Sequence, residues 1–117
     1  MNIRRGDIFL AALDPVIGKE IAKTRPVVVV SNDFNNRYSG TVTILPVTSK
    51  HLEKIYPFEV LIPRGRSILP KDSKVKADQI RTLDRRRLLK FIGKLEAEDL
   101  EAIAKAIQVH LSLERIF

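Results

Sequence analysis

The sequence has no cysteine, which excludes disulfide bonds and thiolate metal sites. It has only two histidines, His51 and His110, and this argues against a zinc site and against a two-histidine ribonuclease mechanism. No apolar run approaches the roughly 20 residues that a membrane span needs. The charged N-terminal stretch MNIRRGDIF lacks the apolar region of a signal peptide. We therefore expect a cytoplasmic protein without a metal or other cofactor and without a membrane partner.

Acidic side chains are the minority charge in this sequence. Its 117 residues contain 14 Asp and Glu against 21 Lys and Arg, and the formal net charge is +7. Such a surplus favours an anionic partner, with nucleic acid as the first candidate, although charge alone leaves open a protein that is merely basic. The length, the ordinary composition and the lack of repeats or linkers predict a single domain over residues 1–117.

Strand patterns dominate the first three quarters of the chain. Alternating or continuous apolar residues predict strands in Asp7–Leu13, Pro26–Ser31, Thr41–Ser49, Phe58–Pro63, Ser73–Leu83 and FIGKLE. The second of these is continuously β-branched, as in a strand buried on both faces. Because proline has no N–H, Pro26 is expected only at the first position of its strand. We expect an irregular end at Pro46 and a bulge or twist near Ile80, where the apolar phase shifts.

The pattern becomes helical from about Glu96. Apolar residues then recur on one predicted helix face, at Leu100, Ile103, Ala104, Ile107 and Leu111. Shorter helical turns are expected within Asn32–Gly40 and from Asp84 onward. Several short strands followed by one amphipathic helix predict a small, curled antiparallel sheet or barrel covered by that helix.

A long polar loop, from about Asp14 to Thr24, precedes the central strand, and loops of this length are often functional. It contains Glu20 and leads into Arg25, which the following proline holds in an extended conformation. The guanidinium of Arg25 presents donors in a fixed fork that suits a phosphate. Alternatively, Glu20 and Arg25 simply pair with each other at the surface.

Other side chains have a functional and a structural interpretation. Thr48 and Ser49 end a predicted strand, where a hydroxyl can donate to a phosphate oxygen or form a turn. His51 could titrate near neutrality or be solvated, and His110 is expected to be structural. Five basic residues could follow a phosphate backbone or form a solvated face, namely Arg81, Arg85, Arg86, Arg87 and Lys90. Three aromatic residues could stack on unpaired bases or pack, namely Phe34, Tyr38 and Tyr56.

The order of these motifs resembles the MazF/PemK family of toxin endoribonucleases. The matching stretches are RGDIF, GKE followed by RPVVVVSND, TVTILPVTS, YPFEV and KADQIRTLDRRRL, and they run through essentially the whole chain. The resemblance implies a mainly β, SH3-like barrel of the CcdB/PemK/MazF kind with a C-terminal amphipathic helix. It also implies a homodimer and a MazE-like antitoxin with an acidic tail. DNA would be contacted only through the toxin–antitoxin complex.

The same resemblance implies sequence-specific, metal-independent cleavage of single-stranded RNA, chiefly mRNA, which would inhibit translation. The family's catalytic pair corresponds to Arg25 and Thr48, and Glu20 matches a glutamate that assists in some members. The segment Lys50–Tyr56 falls where members differ and is expected to tune sequence preference. The glycines often found before the arginine are replaced by AKT. We expect RNA contacts from Lys19, Lys23, Ser49, Lys50, His51, Tyr56, Gln79 and Arg81.

Metal-free cleavage would use the 2′-OH of the substrate as nucleophile and leave a 2′,3′-cyclic phosphate and a 5′-OH, which restricts the reaction to RNA. Glu20 is then the better base on intrinsic pKa, Arg25 the phosphate clamp and possible acid, and Thr48 a positioning donor. Two alternatives remain at this level. One is a toxin of the same architecture that acts on DNA gyrase, and the other is a non-catalytic nucleic-acid-binding barrel.

Overall fold

The computed structural model describes residues 1–113, and within them it contains seven strands and two α-helices. The strands are β1 (Asp7–Ala12), β2 (Thr24–Val29), β3 (Thr41–Thr48), β4 (Glu59–Ile62), β5 (Ser73–Lys76), β6 (Arg81–Asp84) and β7 (Leu88–Lys94). The helices are α1 (Asp33–Tyr38) and α2 (Ala97–Leu111), and short 3-10 turns lie at Arg66–Ile68, Ala77–Gln79 and Arg85–Arg87. Residues 114–117 of the predicted domain lie outside the described residues. The prediction of a mainly β fold with a C-terminal helix is confirmed.

The strands form an antiparallel sheet in the order β4-β5-β3-β2-β1-β7, with β6 paired to β3. The long strand β3 is shared between several partners. Its first half pairs with β6, its last two residues pair with β5, and β2 runs along its other edge. The end of β3 therefore lies between β2 and β5, and side chains from three strands meet there.

Apolar side chains pack on both faces of the sheet. Val28 of β2 belongs to one buried cluster, which α2 covers through Ile103 and Ala106. Val27 and Val29 belong to a second cluster on the opposite face. The prediction that the valine run is buried on both faces is confirmed. Of the helices in residues 1–113, neither has the length and apolarity to cross a membrane.

Proline positions differ from the prediction. β2 begins at Thr24, so Pro26 is the third residue of its strand and not the first. Pro26 pairs in register with Leu10 of β1, whereas the ladder to β3 starts only at Val27. Proline is tolerated here because β2 has one hydrogen-bonded neighbour at this point and a free edge on the other side. β3 likewise continues through Pro46 to Thr48, because β5 becomes its neighbour at the end.

Two further boundaries differ. The predicted strand over Ser73–Leu83 is two strands, β5 and β6, separated by the 3-10 turn Ala77–Gln79, which produces the phase shift seen in the sequence. In α2, Ala106 is buried whereas Leu111 is 45% exposed, so placing Leu111 on the buried face was wrong. The expected turns are confirmed as α1 and as the 3-10 turn Arg85–Arg87, whose backbone is capped by the Asp84 carboxylate.

Candidate active site

The end of β3 brings the two principal predicted residues together. The ladder between β2 and β3 ends with Val27 opposite Pro46, and Arg25 and Thr48 each lie two residues beyond this last pair. Thr48 is in turn paired with Lys74 of β5. Arg25, Thr48 and Lys74 thus come from three neighbouring strands and form a row at the end of β3.

A groove of about 580 Å³ lies over this row. Its walls come from the β1–β2 loop, the end of β3, β5 and the turn that follows β5. The lining residues are Lys19, Glu20, Ile21, Ala22, Arg25, Thr48, Lys50, His51, Lys74, Lys76, Asp78 and Gln79. The structure therefore brings together the three predicted catalytic residues and four of the predicted RNA contacts, namely Lys19, Lys50, His51 and Gln79.

Arg25 and Thr48 keep hydrogen-bonding capacity for a ligand. Arg25 donates through Nε to the Ala22 carbonyl at 3.3 Å, and within residues 1–113 its terminal guanidinium nitrogens make no hydrogen bond or salt bridge. Thr48 Oγ1 accepts from the Lys50 amide at 3.1 Å, so its hydroxyl proton is free to be donated. Glu20 accepts from the Ile17 amide at 2.5 Å and does not pair with Arg25. The interpretation of Glu20 and Arg25 as a mutual surface ion pair is therefore wrong.

Glu20 lies on an exposed loop that contains two residues with positive φ angles. Gly18 has φ +58° and Lys23 has φ +68°, both in the left-handed region. Asp14 Oδ1 accepts from the Lys23 amide at 3.1 Å, which ties the two ends of the loop together. Gln79 Oε1 accepts from the Ile21 amide at 3.3 Å. Gln79 thus supports the loop next to Glu20, in addition to lining the groove.

Sequence reasoning missed the charged residues on the floor of the groove. Lys74 and Lys76 both pair with Glu59, with Nζ to carboxylate oxygen distances of 3.1 and 2.5 Å. Burial by itself would raise the pKa of Glu59, but hydrogen bonds from Lys76, the Tyr56 amide and Lys74 outweigh it and lower the pKa. The alternation of Lys74 and Lys76 about the buried Val75 was the available signal, because it places both lysines on one face.

Asp78 completes this floor. Its carboxylate lies 3.6 Å from Lys76 Nζ, and its buried Oδ1 has no hydrogen-bond partner among the described residues. Asp78 therefore places a buried carboxylate oxygen beside Lys76 at the floor of the groove. Within residues 1–113, no group of three or more His, Asp or Glu side chains is placed to hold a metal ion.

The remaining predicted RNA contacts lie beside the groove. Ser49 lines a smaller adjoining cavity with Arg25 and Thr48. Tyr56 stacks on Phe58 with ring centroids 5.4 Å apart, and Lys23 lies at the end of the β1–β2 loop. Arg81 donates through Nη1 to the Leu13 carbonyl at 2.8 Å and lines a neighbouring depression that includes Glu20 and Gln79.

The other arginines of the predicted basic cluster hold the chain together. Arg85 donates to the Asn36, Ser39 and Met1 carbonyls. Arg87 donates to the carbonyls of Ala12 and Asp14, at 3.1 and 2.5 Å. Arg86 bonds Asp84 and, with its own amide, lowers the pKa of that carboxyl to about 2. Each of these three arginines therefore has a structural role, which is one of the two interpretations that the sequence left open.

Two smaller predictions concern aromatic groups outside the groove. Phe34 and Tyr38 are exposed on α1 and pack against each other, with ring centroids 4.9 Å apart. The ring of His110 is exposed and lies 6.1 Å from that of Phe58. None of these three side chains reaches the groove described above.

The sequence and the fold match known toxins. The model of the family described as PemK-like, MazF-like toxin of type II toxin–antitoxin system matches residues 4–111, and the chain belongs to this family. A curated relative, Endoribonuclease MazF9 of Mycobacterium tuberculosis, is 41% identical over 116 residues, covering 95% of this chain and 98% of that protein.

The structure is also similar to two solved structures. MazF from Deinococcus radiodurans gives a TM-score of 0.81 at 28% identity, covering 96% of this chain and 98% of that one. A MazE–MazF structure from the same organism gives a TM-score of 0.77 at 27% identity, covering 97% and 99%. The fold that the resemblance implied is therefore confirmed.

Proposed function

We propose that this endoribonuclease toxin cuts single-stranded RNA, chiefly mRNA, at specific base sequences without a metal ion and thereby inhibits translation. The observation that carries the proposal is that Arg25 of β2 and Thr48 of β3 line the same open groove, both with free donors. Membership of the toxin family and likeness to an endoribonuclease support it. The products would be a 2′,3′-cyclic phosphate and a 5′-OH.

The reaction needs three contributions from the protein. The substrate's 2′-OH attacks the adjacent phosphorus, so a base must take its proton and an acid must supply one to the departing 5′ oxygen. The non-bridging oxygens of the phosphate gain negative charge in the transition state, and donors must stabilise that charge. Because the nucleophile is the 2′-OH, DNA would not be cut.

Arg25 and Thr48 are placed to stabilise the phosphorus centre. The free end of the Arg25 guanidinium can hold two phosphate oxygens, and a preorganised donor of this kind contributes on the order of 10²–10³ in rate. The Thr48 hydroxyl, whose oxygen already accepts from Lys50, adds a donor to the same phosphate. Both residues belong to strands, so their geometry does not depend on loop order.

Glu20 is our candidate for the base or for the group that orients it. An arginine remains protonated at neutral pH, with a pKa above about 12, and is a poor proton acceptor. Glu20 lines the same groove on its loop side, and among residues 1–113 its carboxylate accepts only from the Ile17 amide, through one oxygen. The other oxygen is available to a 2′-OH once RNA occupies the groove.

The groove lining also supports assignments for the RNA chain. Lys19, Lys50, His51 and Gln79 would contact the nucleotides on either side of the scissile phosphate. Lys23, Ser49, Tyr56 and Arg81 lie just outside, where flanking nucleotides would pass. Tyr56 presents a stacked aromatic ring, which suits an unpaired base.

An antitoxin partner follows from the type II toxin–antitoxin family. We propose that the groove-binding segment of the antitoxin is acidic and mimics RNA, because Lys19, Arg25 and Lys50 line the groove.

We also propose that the protein forms a homodimer. The edge strand β7 carries Leu89 and Phe91, which are 56% and 48% exposed, and a second copy could bury them.

The test is a cleavage assay on mixed-sequence RNA in EDTA, with the ends of the fragments mapped. Wild-type protein should leave cyclic phosphate and 5′-OH ends, and Arg25→Ala should lose at least about 10² in rate. Arg64→Ala is the matched control, because Arg64 is exposed outside the groove. Intact RNA despite tight, salt-dependent binding would favour a non-catalytic nucleic-acid-binding protein. Gyrase inhibition without RNA cleavage would favour a toxin that acts on DNA gyrase.

A further inference from the structure

The loop between β3 and β4, residues 49–58, is fastened from beneath by two side chains. Lys74 Nζ donates to the carbonyls of His51 and Lys54, at 2.8 and 3.3 Å. Glu59 Oε1 accepts from the Tyr56 amide at 3.0 Å. Lys74 and Glu59 are joined to each other at 3.1 Å. Three points on the loop backbone thus converge on one ion pair.

This ion pair is buried at the edge of the groove. Lys74 and Glu59 are 3% and 5% exposed. An ammonium group has three donors, and two carbonyls and the Glu59 carboxylate use all of them. Lys74 therefore has no donor left for a phosphate, although it lies next to Thr48 in the sheet. Its contribution is to position other groups.

The loop has need of such support. His51 has φ +56°, a conformation that side-chain-bearing residues rarely adopt, and its carbonyl is one of those held by Lys74. The side chains of Lys50 and His51 line the groove, whereas most others in the loop face solvent. Burying charged groups costs desolvation energy, and the best-attested use of buried ionic groups in proteins is to select one conformation.

We propose that Lys74 and Glu59 are positioning residues that determine which RNA sequence is cut, because they fix the β3–β4 loop against the groove. The inference rests on the proposed endoribonuclease function. Recognition of a base requires side chains held within about 0.5 Å, and the β3–β4 loop would have to supply that precision. Arg25 and Thr48 are held by strands and do not depend on the loop. A loosened loop should therefore lose base discrimination before it loses the chemical step.

The experiment compares Lys74→Met with the control Lys105→Met, since Lys105 is exposed on α2. Cut sites are mapped on mixed-sequence RNA, and kcat/KM is measured for the preferred site and for single-base variants of it. Lys74→Met should lower the preference for the best site about tenfold, with a smaller change in kcat there. A wild-type cut pattern, or an equal loss at every sequence, would overturn the proposal.

The double variant Lys74→Met with Glu59→Gln guards against misfolding, because it leaves neither partner as an unpaired buried charge. Residue-resolved amide exchange gives a readout that needs no activity. The Tyr56 amide should exchange slowly in wild type and about tenfold faster in the variants, whereas fast exchange in wild type would contradict the inference. If wild type cuts no RNA but Tyr56 is protected, the proposed function fails and the role in RNA sequence choice fails with it, whereas the anchoring of the loop stands.

Discussion

Two loops form opposite walls of the groove, and they are held in different ways. The β1–β2 loop, residues 13–23, is fixed at its start by Arg81 and Arg87, which bind the Leu13 and Asp14 carbonyls. The rest of the loop is supported by the exposed side chains of Asp14 and Glu20 and by the side-chain amide of Gln79. The β3–β4 loop is supported by the buried pair of Lys74 and Glu59. Hydrogen bonds to exposed groups compete with water, whereas those made inside the protein do not.

The difference assigns different tasks to the two walls. Residues 17–20 of the β1–β2 loop, which include Glu20, are exposed, so under the proposed function this part of the wall can adapt to an RNA or an antitoxin at little cost. The β3–β4 loop, held from beneath, can present a constant surface to a base. Under the proposed function, one groove would combine an adaptable wall for proton transfer with a rigid wall for recognition, over strand residues that hold the phosphate.

The largest expected effect is on stability, from removing the anchor of the rigid wall. Glu59→Ala leaves Lys74 buried without its carboxylate and should lower the free energy of unfolding by about 3–5 kcal/mol. Urea denaturation would measure this. Glu53→Ala, on the same loop but exposed, should change it by less than about 0.5 kcal/mol. Equal effects of the two variants would remove the contrast between the walls.

On the adaptable wall, the expected effect is on rate. Glu20→Gln should lower kcat by about 10² or more, because a general base of this kind contributes at least that much. The free energy of unfolding should change by less than about 0.5 kcal/mol, since Glu20 is exposed. Single-turnover cleavage across a range of pH is the measurement, and a wild-type rate at every pH would exclude Glu20 as the base.

Low pH should weaken the support of the β3–β4 loop, because protonation of Glu59 removes its charge. Glu59 has a pKa below its usual 4.5, so its stabilisation is complete above that value and is lost as the pH falls through the lower folded-state pKa. Wild type should therefore lose its stability advantage over Glu59→Gln only below about pH 4.5. Thermal melts of both proteins from pH 7 downward would show this, and an advantage that disappears between pH 7 and 5 would contradict it.

The smallest expected effect separates backbone strain from packing in the adaptable wall. Gly18 and Gly40 both have open space where a Cβ would lie, but only Gly18 has a positive φ. Gly18→Ala should therefore lower the free energy of unfolding by about 1 kcal/mol. Gly40→Ala should leave it unchanged or raise it slightly. Denaturant titrations of the pair give the difference, and equal values would mean that the loop bears no strain.

The sequence allowed prediction of those parts of the site that depend on local pattern. Arg25 before a proline and Thr48 at a strand end are recognisable from their neighbours, and both line the groove. Lys74 and Glu59 were not recognisable. In the sequence they are ordinary charged residues of alternating strands, and only the pairing of β4 with β5 under the β3–β4 loop buries them. The structural contacts of Arg85 and Arg87 were unpredictable for a related reason, because the carbonyls they bind are distant in the chain.

By itself, the sequence determined that the chain is a basic, cysteine-free, mainly β protein with a terminal amphipathic helix, because composition and periodicity are local properties. It also placed Arg25 and Thr48 at strand ends. Only the tertiary structure decided that these two meet across β2 and β3, that β3 changes partner from β6 to β5, and that a buried ion pair holds one wall of the groove. Such features depend on strand register and on contacts between residues far apart in the chain, and no local pattern specifies them.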